Sequence, residues 1–294
     1  MRDEDGRDRE RGGADRARPS GAAGPEGAAG RAVTAPERRL LGRETLIVLA
    51  LSLGASGLSA LISFVGALTR PGGLRDQAAR LNGSHAPDRP WLDLAWQLFG
   101  IATALVPVLL VAHLLTREPR DGIGDGDGPG LRKIGFDLRH PGSDLARGAL
   151  VAAGIGGSGL LFYLAAQAGG FNLTVVPESL PDVWWKIPVL IASAVQNSVV
   201  EEVIVVGYLL RRLDRLGWSP AAALAGSSLL RGSYHLYQGI GGFVGNVVMG
   251  VVFVWLYRRW GRVGPLVAAH ALIDIVAFVG YALLAGRVGW LPTA

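Results

Sequence analysis

Residues 184–210 read WWKIPVLIASAVQNSVVEEVIVVGYLL. After Lys186 no charge appears until the adjacent pair Glu201-Glu202, which stands well inside the apolar run. A helix rises about 1.5 Å per residue, so a run of this length is long enough to cross a hydrocarbon core roughly 30 Å thick. Six further apolar runs flank it, at about 45–68, 91–115, 146–168, 220–237, 241–257 and 265–284. Half of the chain is hydrophobic, only 18% is charged and the mean hydropathy is +0.33. The fold class is therefore expected to be all-α, a polytopic transmembrane helical bundle of about seven spans (six to eight). The apolar segment 171–188 leaves room for an eighth, interfacial element.

The charge is concentrated outside these runs. Residues 1–43 are rich in Arg, Asp, Glu, Gly, Ala and Pro without apolar periodicity, the composition of a disordered tail. Residues 44–290 are expected to form the membrane domain. The first apolar run starts near Leu46, too far from the N-terminus and too long for a secretory h-region. With basic residues at span ends counted with the loops, 22 Lys and Arg fall on the side of the tail and 6 on the other. That asymmetry predicts a cytoplasmic N-terminus and, with seven spans, an external C-terminus. The net charge of +5 and pI near 9.9 follow from these loops, not from one basic face, so nucleic acid is not an expected partner. The bilayer is. There is no cysteine, which excludes disulfides, thiolate nucleophiles and Cys-ligated metals.

The chemistry lies in the ionisable residues that the spans bury. One such residue at mid-bilayer costs roughly 2.5–3.5 kcal/mol. Spans four, five and seven hold Glu201, Glu202, Arg231, His235, His270 and Asp274. Unpaired, the Glu, Arg and Asp residues alone would cost on the order of 10 kcal/mol, so the group must face itself, a cavity or water. His270 and Asp274 are four apart and share a helix face, where an aspartate can orient an imidazole. Arg231 and His235 have the same spacing. Glu201 and Glu202 point about 100° apart and so suit different tasks, one toward water or substrate and one toward a structural partner. A carboxylate in a low-dielectric site suits general base work near neutral pH. One difficulty is depth. Counted from the start of its span, His235 lies deeper than Glu201 and His270, so span five must begin deeper, tilt or break for the three to meet.

Other motifs carry less. Gly54-Ala55-Ser56-Gly57 and Gly156-Gly157-Ser158-Gly159 match a Gly-x-Ser-Gly pattern, but in a chain with 43 glycines small residues in spans usually mean close helix packing. Gly122-Ile123-Gly124-Asp125 lies in a polar loop, and His-Glu-x-x-His is absent. His85, His113 and His140 lie in loops or near a span end and read as ordinary solvated histidines.

Three segments together resemble the CPBP family of intramembrane proteases, which includes the type II CAAX prenyl endopeptidases and bacteriocin-processing or immunity proteins of the Abi type. They are Glu201-Glu202 with the residues up to Leu210, then Leu230-Arg231-Gly232-Ser233-Tyr234-His235, then Ala269-His270-Ala271-Leu272-Ile273-Asp274. The family pattern is Glu-Glu-x-x-x-Arg, Phe-x-x-x-His and His-x-x-x-Asp/Asn, and the resemblance covers about 184–280. It implies an intramembrane endopeptidase that hydrolyses peptide bonds of a membrane-associated protein or peptide in a bacterial plasma membrane. It implies Glu201 as the base that activates water, His235 as a residue that positions that water, and His270 with Asp274 as the group facing the oxyanion. Glu202 belongs to the same catalytic motif. A divalent metal such as zinc, held by His235 and His270 with a glutamate, is the other mechanistic reading. Two departures stand out: Val206 occupies the place of the motif arginine, and Arg231 that of the motif phenylalanine. The exchange predicts that Arg231 reaches across and pairs with Glu202. The alternative function is an inactive interaction or immunity protein, or a transporter-like component, that uses the polar cluster only for helix packing.

Overall fold

The computed structural model describes residues 33–118 and 128–289. Residues 1–32 of the expected tail and 119–127 of the loop with Gly122–Asp125 lie outside the described residues. Helices dominate: α1 (Ala35–Ala50), α2 (Leu53–Leu68), α3 (Pro90–Ala104), α4 (Val106–Thr116), α5 (Pro141–Ala168), α6 (Lys186–Glu201), α7 (Leu209–Arg215), α8 (Pro220–Ser233), α9 (Ile240–Trp260) and α10 (Gly264–Leu284). Two short strands, β1 (Ala78–Gly83) and β2 (Thr174–Ser179), pair in parallel.

Among the described residues five helical stretches are long and apolar enough to cross a membrane: 90–116, 141–168, 186–215, 240–260 and 264–284. A sixth is formed if α1 and α2, bent by 51° at their break, count as one span. The protein is thus an integral membrane helical bundle, with five spans, one below the expected range, or six, at its low end, if the bent pair counts.

The difference from seven is α8. The expected span 220–237 is a helix of only 14 residues, about 21 Å long, started by the Ser219 side chain accepting from the Ala222 N–H and by Pro220 in the first turn. It ends because the chain turns through Tyr234–Gly239, where Gly239 has φ 110°, a conformation that favours glycine. Gly232 allows the return helix α9 to close on α8: a Cβ there would lie 2.5 Å from a Val247 methyl carbon and 2.9 Å from the Phe243 carbonyl oxygen. This break answers the depth problem, since His235 sits in the turn and not on a continuous span.

Three further expectations are revised. Residues 35–43, assigned to the tail, are helical, because Thr34 and Glu37 form a capping box that starts α1 ten residues before the apolar run. The segment 171–188, which left room for an eighth, interfacial element, holds the strand β2, since Thr174-Val175-Val176 has the branching that suits a strand. Finally, the span of residues 186–215 is not uniformly α-helical. Residues Glu202–Tyr208 form a π-helical segment, a rare winding that concentrates at functional sites. Its residues Val203–Val206 and Tyr208 are fully buried at the centre of the main core, against Leu115, Ile134, Phe253 and Leu266. Because π winding places more residues in a turn, Glu202 and Val206 are not stacked as they would be on an α-helix.

Candidate active site

Glu201 is the last residue of α6 and Glu202 the first of the π segment, so the change of winding falls between them. Glu202 is fully buried. Its Oε1 accepts from Arg231 Nη2 at 2.5 Å and lies 2.7 Å from His270 Nδ1. The pairing predicted from the exchange of Val206 and Arg231 is therefore present. Arg231, on the last turn of α8, is fully buried and stacks over the Phe253 ring at 5.2 Å. Its Nη1 reaches Glu201 Oε2 at 3.4 Å. Val206 is buried in the apolar core and takes no part in the polar cluster.

Glu201 is held differently. Its Oε2 accepts from the Tyr234 hydroxyl at 2.9 Å as well as from Arg231, and its side chain keeps 12% exposure. It lines a cavity of about 920 Å³ together with Tyr234, His235, His270 and Asp274. Glu202 does not line it. The two adjacent carboxylates are thus separated in environment, as their angular offset predicts.

His235 Nδ1 lies 3.0 Å from the Arg231 carbonyl oxygen. A carbonyl only accepts, so Nδ1 carries the proton and the Nε2 of a neutral ring keeps its lone pair. His270 is anchored through Nδ1 to Glu202, and its Nε2 lies 3.6 Å from Asp274 Oδ2, an ion-pair distance and not a direct hydrogen bond. Asn197, one turn before Glu201, lines the same cavity as Asp274. All six expected residues, Glu201, Glu202, Arg231, His235, His270 and Asp274, therefore converge from α6, the π segment, α8 and its turn, and α10. The sequence reading missed Tyr234 and Asn197. Tyr234 stood beside the motif histidine, but nothing in the spacing says which way it turns.

One oxygen or nitrogen each from Glu201, Glu202 and His270 lies within 4.8 Å of the others, a set that by count could hold a metal ion. His235, expected beside His270 as a ligand, is not in that set. The arrangement itself fits a divalent cation poorly. Glu202 Oε1 is already taken by a guanidinium and an imidazole N–H, and the Arg231 charge opposes a second cation in the same low-dielectric space. Glu202 Oε2 is buried without a partner, but it is a single donor atom, and Glu202 does not line the cavity.

The two serine motifs are bound to their own helices: Ser56 Oγ donates to the Ser52 carbonyl at 3.4 Å and Ser158 Oγ to that of Gly154 at 2.8 Å. Neither meets a base.

No curated protein and no solved structure matches the chain. One family does, over residues 183–276: type II CAAX prenyl endopeptidase Rce1-like. The matched segment runs from the start of α6 into α10 and contains all three motifs and every side chain of the cluster. Residues 183–276 therefore form a domain of the CPBP family, of the type II CAAX prenyl endopeptidase kind.

Proposed function

We propose that the protein is an intramembrane endopeptidase that cleaves a membrane-associated substrate with water activated by Glu201. The family match supports a membrane endopeptidase. The observation that carries the finer reading is the division of labour between the two glutamates: Glu202 is sealed against Arg231 and His270, whereas Glu201 opens on the cavity.

In this reading Glu201 Oε2 is fixed by Tyr234 and Arg231, which leaves Oε1 to take a proton from a cavity water as that water attacks the scissile carbonyl. The Nε2 lone pair of His235 helps to hold the same water. His270, carried as an imidazolium between Glu202 on Nδ1 and Asp274 near Nε2, offers its Nε2–H to the oxygen that becomes the oxyanion. Glu201 then returns its proton to the leaving amine. Glu202 and Arg231 act as positioning residues. The mechanism is glutamate-type, supported by the guanidinium in the place a dication would need. The membrane is a bacterial plasma membrane, with the tail cytoplasmic, as the loop arginines support.

The test is cleavage of a prenylated reporter peptide by the full chain in proteoliposomes, comparing wild type with Glu201→Gln. General base loss costs on the order of 10²–10⁴-fold, with thermal unfolding in detergent little changed. Full activity of Glu201→Gln overturns the reading. A chelator leaves wild type active; loss on chelation, restored by zinc, replaces the glutamate mechanism with a metal one.

A further inference from the structure

Water activated by Glu201 accounts for attack on the peptide bond but not for how the peptide lies. The small sheet supplies an answer. β1 and β2 are parallel, with Ala78 opposite Thr174 and Arg80 opposite Val176. The phase of the ladder is set by the Thr174 N–H, which donates to the Gln77 carbonyl at 2.8 Å. In a parallel ladder alternate residues of a strand turn their N–H and C=O to the same neighbour. Gln77 and Ala79 therefore face β2, and Ala78 and Arg80 turn their backbone groups the other way.

The two outer edges of this sheet are treated differently. On β2 the outward Val175 N–H donates to the Tyr163 hydroxyl at 3.0 Å, and Pro177 has no N–H to offer. That edge is closed by the usual means of protecting one. On β1 the Ala78 and Arg80 N–H groups have no hydrogen-bond partner among the described residues.

The open edge adjoins the active site. Gln77, Ala78 and Ala79 line a cavity of about 520 Å³, and Arg80, Leu81 and Asn82 line the cavity that holds Glu201. Tyr234 and Tyr237 border both cavities. Side chains alternate between the two faces of a strand, so three consecutive residues lining each cavity place both cavities along the strand's edge. No residue of β2 lines either cavity.

We propose that the substrate peptide binds as an extended third strand on the free edge of β1, paired with the backbone of Ala78 and Arg80, and is carried along that edge to Glu201. This rests on the endopeptidase reading. Backbone pairing would supply affinity with little demand on side chains, and would hold the peptide extended, with its carbonyls accessible to the cavity water.

The experiment is an ester scan. The prenylated reporter is made with each amide in turn, other than the scissile one, replaced by an ester, which removes one N–H. A net protein hydrogen bond corresponds to about two- to tenfold in kcat/KM. Strand pairing predicts losses of that size at every second residue and almost none between them. Arg80→Pro, which removes an N–H that β2 does not use, is expected to lower kcat/KM similarly while melting in detergent near the wild-type temperature. Losses without a two-residue period overturn the inference even if Arg80→Pro fails to fold. If Glu201→Gln is inactive while the scan shows no period, the strand is wrong and the protease reading stands. If wild type and Glu201→Gln cleave alike, or neither cleaves, that reading fails and takes the strand with it.

Discussion

Two of the ion clusters among the described residues have opposite balance. At the site, three carboxylates (Glu201, Glu202, Asp274) surround one guanidinium, Arg231, beside a large cavity. At the end of the bundle where the basic loops meet, a single carboxylate, Glu118, binds Arg211 at 2.7 Å, Arg212 at 2.9 Å and Arg215 at 3.5 Å. Arg212 also pairs with Glu44 of α1. None of these groups lines either cavity described above. The second cluster ties α1, the end of α4 and α7 together. The first has an excess of proton acceptors, one of them open to water. Burial of charge is common to both, so burial alone does not mark a catalytic site; the sign of the excess and the access to a cavity do.

The largest effect should come from removing the one cation of the acidic cluster. Arg231→Ala leaves two carboxylates facing each other in a low-dielectric space, and breaking a buried pair in this way costs roughly 3–5 kcal/mol. Thermal or denaturant unfolding in detergent measures it, and cleavage should be lost as well. Combined with Glu202→Gln, the loss should be non-additive by about 0.5–3 kcal/mol. Additive effects would mean that the 2.5 Å pair contributes nothing of its own.

The end cluster should respond in stability alone. Glu118→Gln removes the shared partner of three arginines, at a cost of about 3 kcal/mol, softened because Arg215 keeps 16% side-chain exposure. Cleavage per folded molecule should stay at the wild-type level. A parallel loss of activity would show that the two clusters are coupled through the helix that runs from α6 to α7, and would remove the distinction drawn between them.

A smaller effect is expected from Tyr234→Phe, which deletes one hydrogen bond to the ionised Glu201. Such bonds contribute about 1.5–3 kcal/mol, or roughly ten- to a hundredfold in kcat/KM, with stability little altered. An unchanged rate would mean that Arg231 alone fixes the base. Tyr234 also marks where sequence reading stops. The helix class and the gathering of six ionisable residues into one cluster were legible from apolar length, from i to i+4 spacing and from the cost of unpaired charge in a membrane. The Arg231–Glu202 pair was legible from the exchange of Val206 and Arg231 against the family pattern. The broken α8, the π winding at Glu202 and the direction of the Tyr234 hydroxyl were not. Each is fixed by how α8, α9 and the core residues from Val203 to Tyr208 pack, and none leaves a periodic trace. The strands escaped because six residues of Thr174–Ser179 are too few to separate a strand from an apolar loop by pattern.

The smallest effect concerns the same end of the bundle, where the chain can be titrated. Arg262 binds Asp144 at 2.7 Å and Asp137 at 3.1 Å and so joins the turn before α10 to the first turn of α5 and the segment before it. Burial pushes the Asp137 carboxyl up, but the hydrogen bonds from Arg262 and from the Arg139 N–H outweigh it and hold the group below the usual carboxylate range. A carboxyl whose folded pKa lies below its unfolded one contributes stability that is complete above the unfolded value, near 3.8, and is lost as pH falls through the folded value. Detergent-solubilised wild type should therefore lose stability on acidification below about pH 4. Asp137→Asn, already without that charge, should be less stable at neutral pH and should lose less over the same range. Asp274, half-buried beside His270 at the cavity, gives no comparable handle from the loops. If Asp137→Asn kept the whole acid dependence of wild type, the acid-sensitive group would have to be sought among the carboxylates of the other cluster, and the assignment of stability to one end and chemistry to the other would need to be redrawn.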